Sequence, residues 1–203
     1  MHIVTGHAGD PGLGAALLDS MYRLRCAVFH ERLRWQVRAE HGREHDWFDL
    51  IGPHYVIAHD GATQALGCCR LLPTTGPNML RDIFPYLLRD LPPPNAPEIW
   101  EVSRFAVAPD AAGSGFGFGD AAAGLLGAMF RFADARRIEA LVGVTSAPVE
   151  RLLRHLGLEV ERLGPPQRIG EAMSLAFRMP VASNLAALGA TGDADADAVA
   201  HAA

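Results

Sequence analysis

Charge sits where a folded chain can least tolerate it. Arg70 interrupts the apolar stretch Ala65-Leu66-Gly67-Cys68-Cys69-Arg70-Leu71-Leu72, and Glu101, Ser103 and Arg104 interrupt Ile99-Trp100-Glu101-Val102-Ser103-Arg104-Phe105-Ala106-Val107. Both stretches are short, apolar and closed by proline at or just beyond one end, so both read as central strands. A charge in the middle of a sheet is costly unless a partner or a ligand meets it. These side chains are therefore expected to line a polar cleft, and an active site is the reading that uses them.

The chain has 203 residues, 49% of them hydrophobic, enough for one sizeable core. No linker-like stretch divides residues 1–180, so a single domain is expected there. Residues 181–203, rich in Ala, Gly and Asp, are expected to form a partly disordered tail. The formal net charge of −5 argues against nucleic acid as the main partner. No apolar run is long enough to span a bilayer, and the first residues lack the pattern of a secretory leader. The three cysteines, Cys26, Cys68 and Cys69, make a poor disulfide framework and suit a reducing compartment. A cytoplasmic protein is expected.

Residues 2–5 read as a strand and 13–33 as an amphipathic helix; 34–53 form a polar, aromatic, irregular loop. Residues 54–59 and 63–72 read as a hairpin about Asp60-Gly61, with Gly67 at a bulge or close approach. Short helical turns are expected over 78–89, then a strand over 98–107. A small-residue helix over 120–136, a strand over 138–145 and a helix over 148–155 follow, the last stopped by Gly157. Two strands, 158–163 and 171–179, close the domain. The alternation with one hairpin gives a mixed α/β sheet covered by helices.

Arg25 and Phe29 lie four apart and share a helix face. The guanidinium suits a carboxylate, on a substrate or within the fold. Trp35 and three acids, Glu44, Asp46 and Asp49, lie in the irregular loop. Acids so close need a cation among them. Arg25, Arg43, Arg70 or Arg104 can serve, as can a ligand sulfonium or ammonium over the indole. On a regular strand Glu101 and Ser103 point to one face, and Val102, Arg104 and Ala106 to the other. Glu101 can hold or accept a proton, or belong to a buried ion-pair network. The run from Gly113 to Gly119 leads into a helix and can cradle a phosphate, though it lacks the lysine of a GxxxxGK[ST] loop. Arg131, Arg136, Arg137, Arg151, Arg154 and Arg168 can meet phosphates or an acidic carrier surface. His41 and His45 do not form HExxH, and no Cys/His pattern reads as a zinc site, so no metal is expected.

Together, Arg25, Phe29, Trp35, Glu44-His45-Asp46 and Asp49, then Gly67 and Arg70-Leu71-Leu72-Pro73-Thr74, Asp82 and Phe84, and Ile99-Trp100-Glu101-Val102-Ser103-Arg104-Phe105, resemble the LuxI-type acyl-homoserine-lactone synthases. The resemblance runs from about residue 21 to 157. It implies an N-acetyltransferase-like fold: a three-layer sandwich with a mixed, splayed β-sheet flanked by helices. It also implies quorum-sensing signal synthesis. S-adenosylmethionine supplies an amine and an acyl thioester, on coenzyme A or acyl-carrier protein, supplies the acyl group; both are substrates, and no cofactor is implied. Arg25, Phe29, Trp35, Asp46, Asp49 and Arg70 would then bind S-adenosylmethionine. Glu101, Ser103 and Arg104 would be catalytic, with Glu101 as base. Met79, Phe84, Trp100, Phe105, Met129 and Gly143 would wall the acyl pocket between the strands of Glu101 and Leu141. Gly143 takes a position where many 3-oxo-acyl producers carry a hydroxyl, which leans the expectation to an unsubstituted or branched chain. An N-acyltransferase of the same architecture acting on another amine, or a non-catalytic domain binding nucleoside or thioester, are the alternatives.

Overall fold

The computed structural model describes residues 1–111 and 119–189. The proposed glycine-rich phosphate loop, apart from Gly119, and the chain beyond residue 189 lie outside them. In chain order the elements are β1 (His2–His7), α1 (Ala15–Arg25), a π-helical segment (Cys26–Arg32), β2 (Ala39–Glu40), β3 (Arg43–Glu44), a 3₁₀ turn (Trp47–Asp49), β4 (His54–His59), β5 (Ala65–Pro73), α2 (Met79–Asp82), a second 3₁₀ turn (Pro85–Leu88) and β6 (Ile99–Val107). After these come α3 (Asp120–Ala135), β7 (Ala140–Ser146), α4 (Ala147–His155), β8 (Glu161–Arg162), β9 (Gln167–Ile169) and β10 (Ala172–Pro180).

Among the described residues eight strands form one sheet in the order β1-β4-β5-β6-β7-β10-β8, with β9 also on β10. All pairings are antiparallel except β6–β7. That parallel pair is joined only at Ile99–Ala140, Trp100–Leu141 and Glu101–Val142. Beyond Glu101 the two strands part, so the sheet opens as a fork immediately after the buried carboxylate.

Alternation along the strands gives the sheet two apolar faces. Tyr55, Ile57, Cys68 and Ala106 pack with Leu17, Met21 and Leu24 of α1. Val56, Ala58, Cys69, Leu71 and Val102 pack with Leu125, Met129, Phe130 and Ala133 of α3. Small residues let α3 lie close to the sheet. A Cβ on Gly67 would stand 2.6 Å from Leu125 Cδ1, so the glycine is a close-approach point. Layers of helix, sheet and helix result, as the sequence implies.

Several boundaries differ from the sequence reading. Residues 158–160 are not strand, although Leu158 and Val160 are buried; a short β9 precedes β10 instead. The long first helix changes to π geometry at Cys26. The tail expected from residue 181 is helical over residues 181–189. Its Asn184 is fully buried, accepts from the Glu159 N–H at 2.8 Å, and donates to the carbonyls of Glu159 and Pro180 at 3.0 and 2.7 Å. An alanine- and glycine-rich composition hid that one anchoring amide. Asn184→Ala removes a buried amide that serves three partly buried backbone groups, and should lower unfolding free energy by about 2–3 kcal/mol in urea melts.

Candidate active site

Three arginines and three carboxylates meet on the α1 face of the sheet. Arg25, at the end of α1, donates from Nε to Glu44 at 2.6 Å and from both terminal nitrogens to Asp49 at 2.8 and 2.9 Å. Arg70, on β5, donates to both oxygens of Asp46 and to Asp49 at 2.9 Å. Its Nε donates to Ser103 Oγ at 3.1 Å. Arg104, on β6, donates to Glu44 at 3.0 Å and to Asp46 at 2.8 Å. Each guanidinium also lies over a ring: Arg25 over Tyr22, Arg70 over Phe48 and Arg104 over Phe29. Arg43 pairs with Asp19 instead and takes no part.

Local backbone devices bring these groups together. Cys68 pairs with Ala106 and Arg70 with Ser103, so Arg104 and Phe105 together oppose Cys69: β6 carries a bulge. Arg104 has φ +55°, in the left-handed region, a strained choice for a non-glycine residue and one found at functional sites. The bulge corrects the simple alternation expected for this strand. Ser103 and Arg104 both reach the arginine cluster, while Val102 packs on the α3 side and Ala106 on the α1 side. The π segment inserts an extra residue per turn after Arg25, a geometry that also marks functional sites. In the acidic loop a capping box fixes both aspartates: Asp46 accepts from the Phe48 N–H, and Asp49 accepts from the Asp46 N–H.

Burial alone would raise Asp49, but the hydrogen bonds and charge of Arg25, with Arg70 alongside, hold its carboxyl far below the usual range. Glu44 is lowered in the same way, against burial, by Arg25 and Arg104. The ion pairs bring three basic and three acidic side chains together. They are unequally accessible. The Asp46 side chain is 17% exposed, whereas Glu44 is 0% and Asp49 2%. Asp46 is the acid of the three that a ligand can reach.

Glu101 stands beside this cluster but not in it. Its oxygens accept the backbone N–H groups of Met79 and Leu80 at 3.0 and 2.6 Å. It is fully buried, and that burial raises its carboxyl above the ordinary value, overcoming the two amides and the charges of Arg70 and Arg104. Trp35, 46% exposed, stacks on the buried Phe29 with ring centroids 5.1 Å apart. Together they make an aromatic shelf at the rim.

The residues expected to wall an acyl pocket do not form one group. Met79 lies against Arg70 and Arg104. Phe84 packs with Leu80, Val142 and Val144 on the α2 side, and Phe105 and Met129 belong to the α3-side core. The fork between β6 and β7 lies between these two sets. Trp100 packs against the same α3-side core as Phe105 and Met129; it contacts His54 and Phe132, and lines a cavity of about 230 Å³ with His7, His54, Leu72 and Pro77. A Cβ on Gly143 would stand 2.5 Å from the Val102 carbonyl oxygen and 3.1 Å from the Phe177 ring. Close packing therefore accounts for the glycine, and its missing hydroxyl says nothing about the 3-position of an acyl chain. Tyr55 was not among the sequence candidates, yet its hydroxyl donates to Asp49 at 2.8 Å and meets Tyr22 at 3.2 Å. A lone phenol in an apolar strand was the signal available. Among the described residues no group of three His, Cys, Asp or Glu is placed to hold a metal ion, and no helix is long and apolar enough to cross a membrane.

The sequence and the fold have counterparts among known proteins. The Autoinducer synthase family profile matches residues 13–187, and the chain belongs to that family. An acyl-homoserine-lactone synthase of Pseudomonas aeruginosa is 39% identical over 165 residues, covering 80% of this chain and 82% of that protein. The crystal structure of the AHL synthase LasI superposes with a TM-score of 0.81 at 37% identity, covering 92% of this chain and 94% of that one. The CoA-dependent acyl-homoserine lactone synthase BjaI, with SAM and isopentyl-CoA, superposes with a TM-score of 0.83 at 28% identity, covering 92% and 86%. An acyl-CoA N-acyltransferase from Pseudomonas aeruginosa shares the fold at a TM-score of 0.58 and 16% identity.

The charge cluster has a definite acid signature. Asp49 and Glu44 are depressed, so their stabilisation is complete above the ordinary values of 3.8 and 4.5 and is lost as pH falls through the lower folded values. Glu101 is raised and acts with the opposite sign, since protonation relieves its burial. Urea melts should show stability falling steeply below about pH 4.5. Asp49→Asn should cost about 3–5 kcal/mol at pH 7 and flatten that acid slope.

Proposed function

We propose that this chain makes N-acyl-homoserine lactones from S-adenosylmethionine and an acyl thioester. The observation that carries the proposal is the six-charge cluster between an aromatic shelf and a forked sheet, with a buried carboxylate of raised pKa at the fork. S-adenosylmethionine brings a sulfonium, an ammonium and a carboxylate. The Phe29–Trp35 shelf suits the first, Asp46 the second, and the Arg70–Arg104 pair the third. Arg25 and Asp49, whose side-chain hydrogen bonds fall within the cluster and to Tyr55, position the others.

The acyl chain is assigned to the fork, with Met79 and Phe84 on one side and Phe105 and Met129 on the other. Its thioester carbonyl then lies near Glu101 and Ser103. The ammonium must lose its proton before attack. Glu101, directly or through a water, accepts it, and its raised pKa brings the carboxylate closer to the amine in proton affinity. Ser103 Oγ accepts from Arg70, which leaves its own proton to orient the acyl group or that water. The amine adds to the carbonyl, the tetrahedral oxyanion is met by backbone N–H groups of the open strand, and the thiol leaves. The carboxylate then attacks its own γ-carbon, closing the lactone and expelling methylthioadenosine. That step needs chiefly proximity, since both partners belong to one bound molecule. The donor's carrier is coenzyme A or acyl-carrier protein. Arg151 on α4 and Arg168 on β9 are exposed and available to its phosphates or acidic surface.

Incubation with S-adenosylmethionine and a panel of acyl thioesters on both carriers should yield an acylated lactone and methylthioadenosine in equal amounts by mass spectrometry. Glu101→Gln should cut turnover by about 100-fold or more while leaving S-adenosylmethionine affinity within about twofold. Free thiol without methylthioadenosine would contradict the proposal.

A further inference from the structure

Two arginines of the cluster, Arg70 and Arg104, do not finish on oxygen. Arg70 has five N–H donors. Four go to Ser103, Asp46 and Asp49, and the fifth, on Nη2, meets Met79 Sδ at 3.3 Å. Arg104 Nη1 meets the same sulfur at 3.3 Å. A thioether is a weak acceptor, so two cationic donors converging on it leave most of their hydrogen-bonding strength unused. Every other acceptor that the three guanidinium groups meet here is oxygen.

Met79 also touches the proposed base. Its backbone N–H holds Glu101 Oε2 at 3.0 Å from the first turn of α2. One residue thus joins both arginines, through its side chain, to the buried carboxylate, through its amide. The side chain is half-buried, unbranched and turns about three bonds, so it can swing aside while the amide stays in place.

We propose that Met79 is a placeholder: its thioether fills the subsite for the carboxylate of S-adenosylmethionine, is displaced when that carboxylate arrives, and thereby sets the affinity for this substrate. The proposal depends on the assignment of the chain as an S-adenosylmethionine-using synthase. The incoming carboxylate receives two charge-assisted hydrogen bonds, from Arg70 Nη2 and Arg104 Nη1, in place of two bonds to sulfur. The need to move Met79 first lowers the apparent affinity, as any requirement for a less populated conformation does. The displaced side chain is one of those assigned to the acyl fork, so filling the amino-acid subsite reshapes the place where the acyl chain will lie.

The test follows the Met79 methyl by NMR in the whole chain labelled at its six methionines, with the Met79 signal assigned by its loss in Met79→Leu. S-adenosylmethionine should shift that signal, and decarboxylated S-adenosylmethionine, which keeps sulfonium and amine, should leave it in place. By calorimetry Met79→Leu, which removes the sulfur acceptor, should bind S-adenosylmethionine about three- to tenfold more tightly and the decarboxylated ligand unchanged. The NMR arm needs only a natively folded chain and stands even if the variant is unstable. S-adenosylmethionine binding with an unmoved Met79 signal overturns the placeholder. So does an equal effect of the substitution on both ligands. Failure of S-adenosylmethionine to bind at all overturns the synthase assignment and the placeholder with it.

Discussion

Six buried or nearly buried charges that sum to zero hold this site together. No one pair would suffice. Arg25 alone would carry a large desolvation cost into the α1 face, and it is offset only because Glu44 and Asp49 both reach it. Those acids in turn need Arg104 and Arg70 to balance their own burial. Each carboxylate is shared by two arginines, so removing one group deprives two others of one of their partners. The arrangement is costly to assemble and costly to disturb, which is what a site must be if it is to hold a small, multiply charged substrate in one orientation.

Much of the backbone near the site makes sense as a consequence. A regular β6 would send Arg104 through the sheet into the α3-side core, where the described cluster is apolar. The bulge and the left-handed φ of Arg104 keep it with its partners. A capped 3₁₀ turn holds Asp46 and Asp49 in place by tying each side chain to a backbone amide. The fork begins one residue past the last parallel pair, so an extended acyl chain and the charged amine can approach the same carbonyl from different directions.

Most of this was legible in the order of residues. Charges inside apolar strands marked Arg70, Glu101 and Arg104, and the acid-rich aromatic loop marked Asp46, Asp49 and Trp35, because burying a charge is too costly to occur by chance. What was hidden depends on departures from regular geometry. Period-two reasoning put Arg104 on the wrong face, since a one-residue bulge leaves no compositional trace when it is not a glycine. Tyr55 looked like core, because only the fold brings Asp49 to its hydroxyl. Gly143 invited a chemical explanation where a steric one is enough. Asn184 could not be singled out in a stretch of alanines.

The central claim is that the buried arginines and carboxylates offset the cost of one another's burial rather than stand as independent charges. A double-mutant cycle on Arg104→Met and Glu44→Gln, read in unfolding free energy, tests it most directly. Coupling should reach about 1.5 kcal/mol or more, because each single change strands a buried partner that the double change removes. Additivity to within about 0.5 kcal/mol would contradict the account.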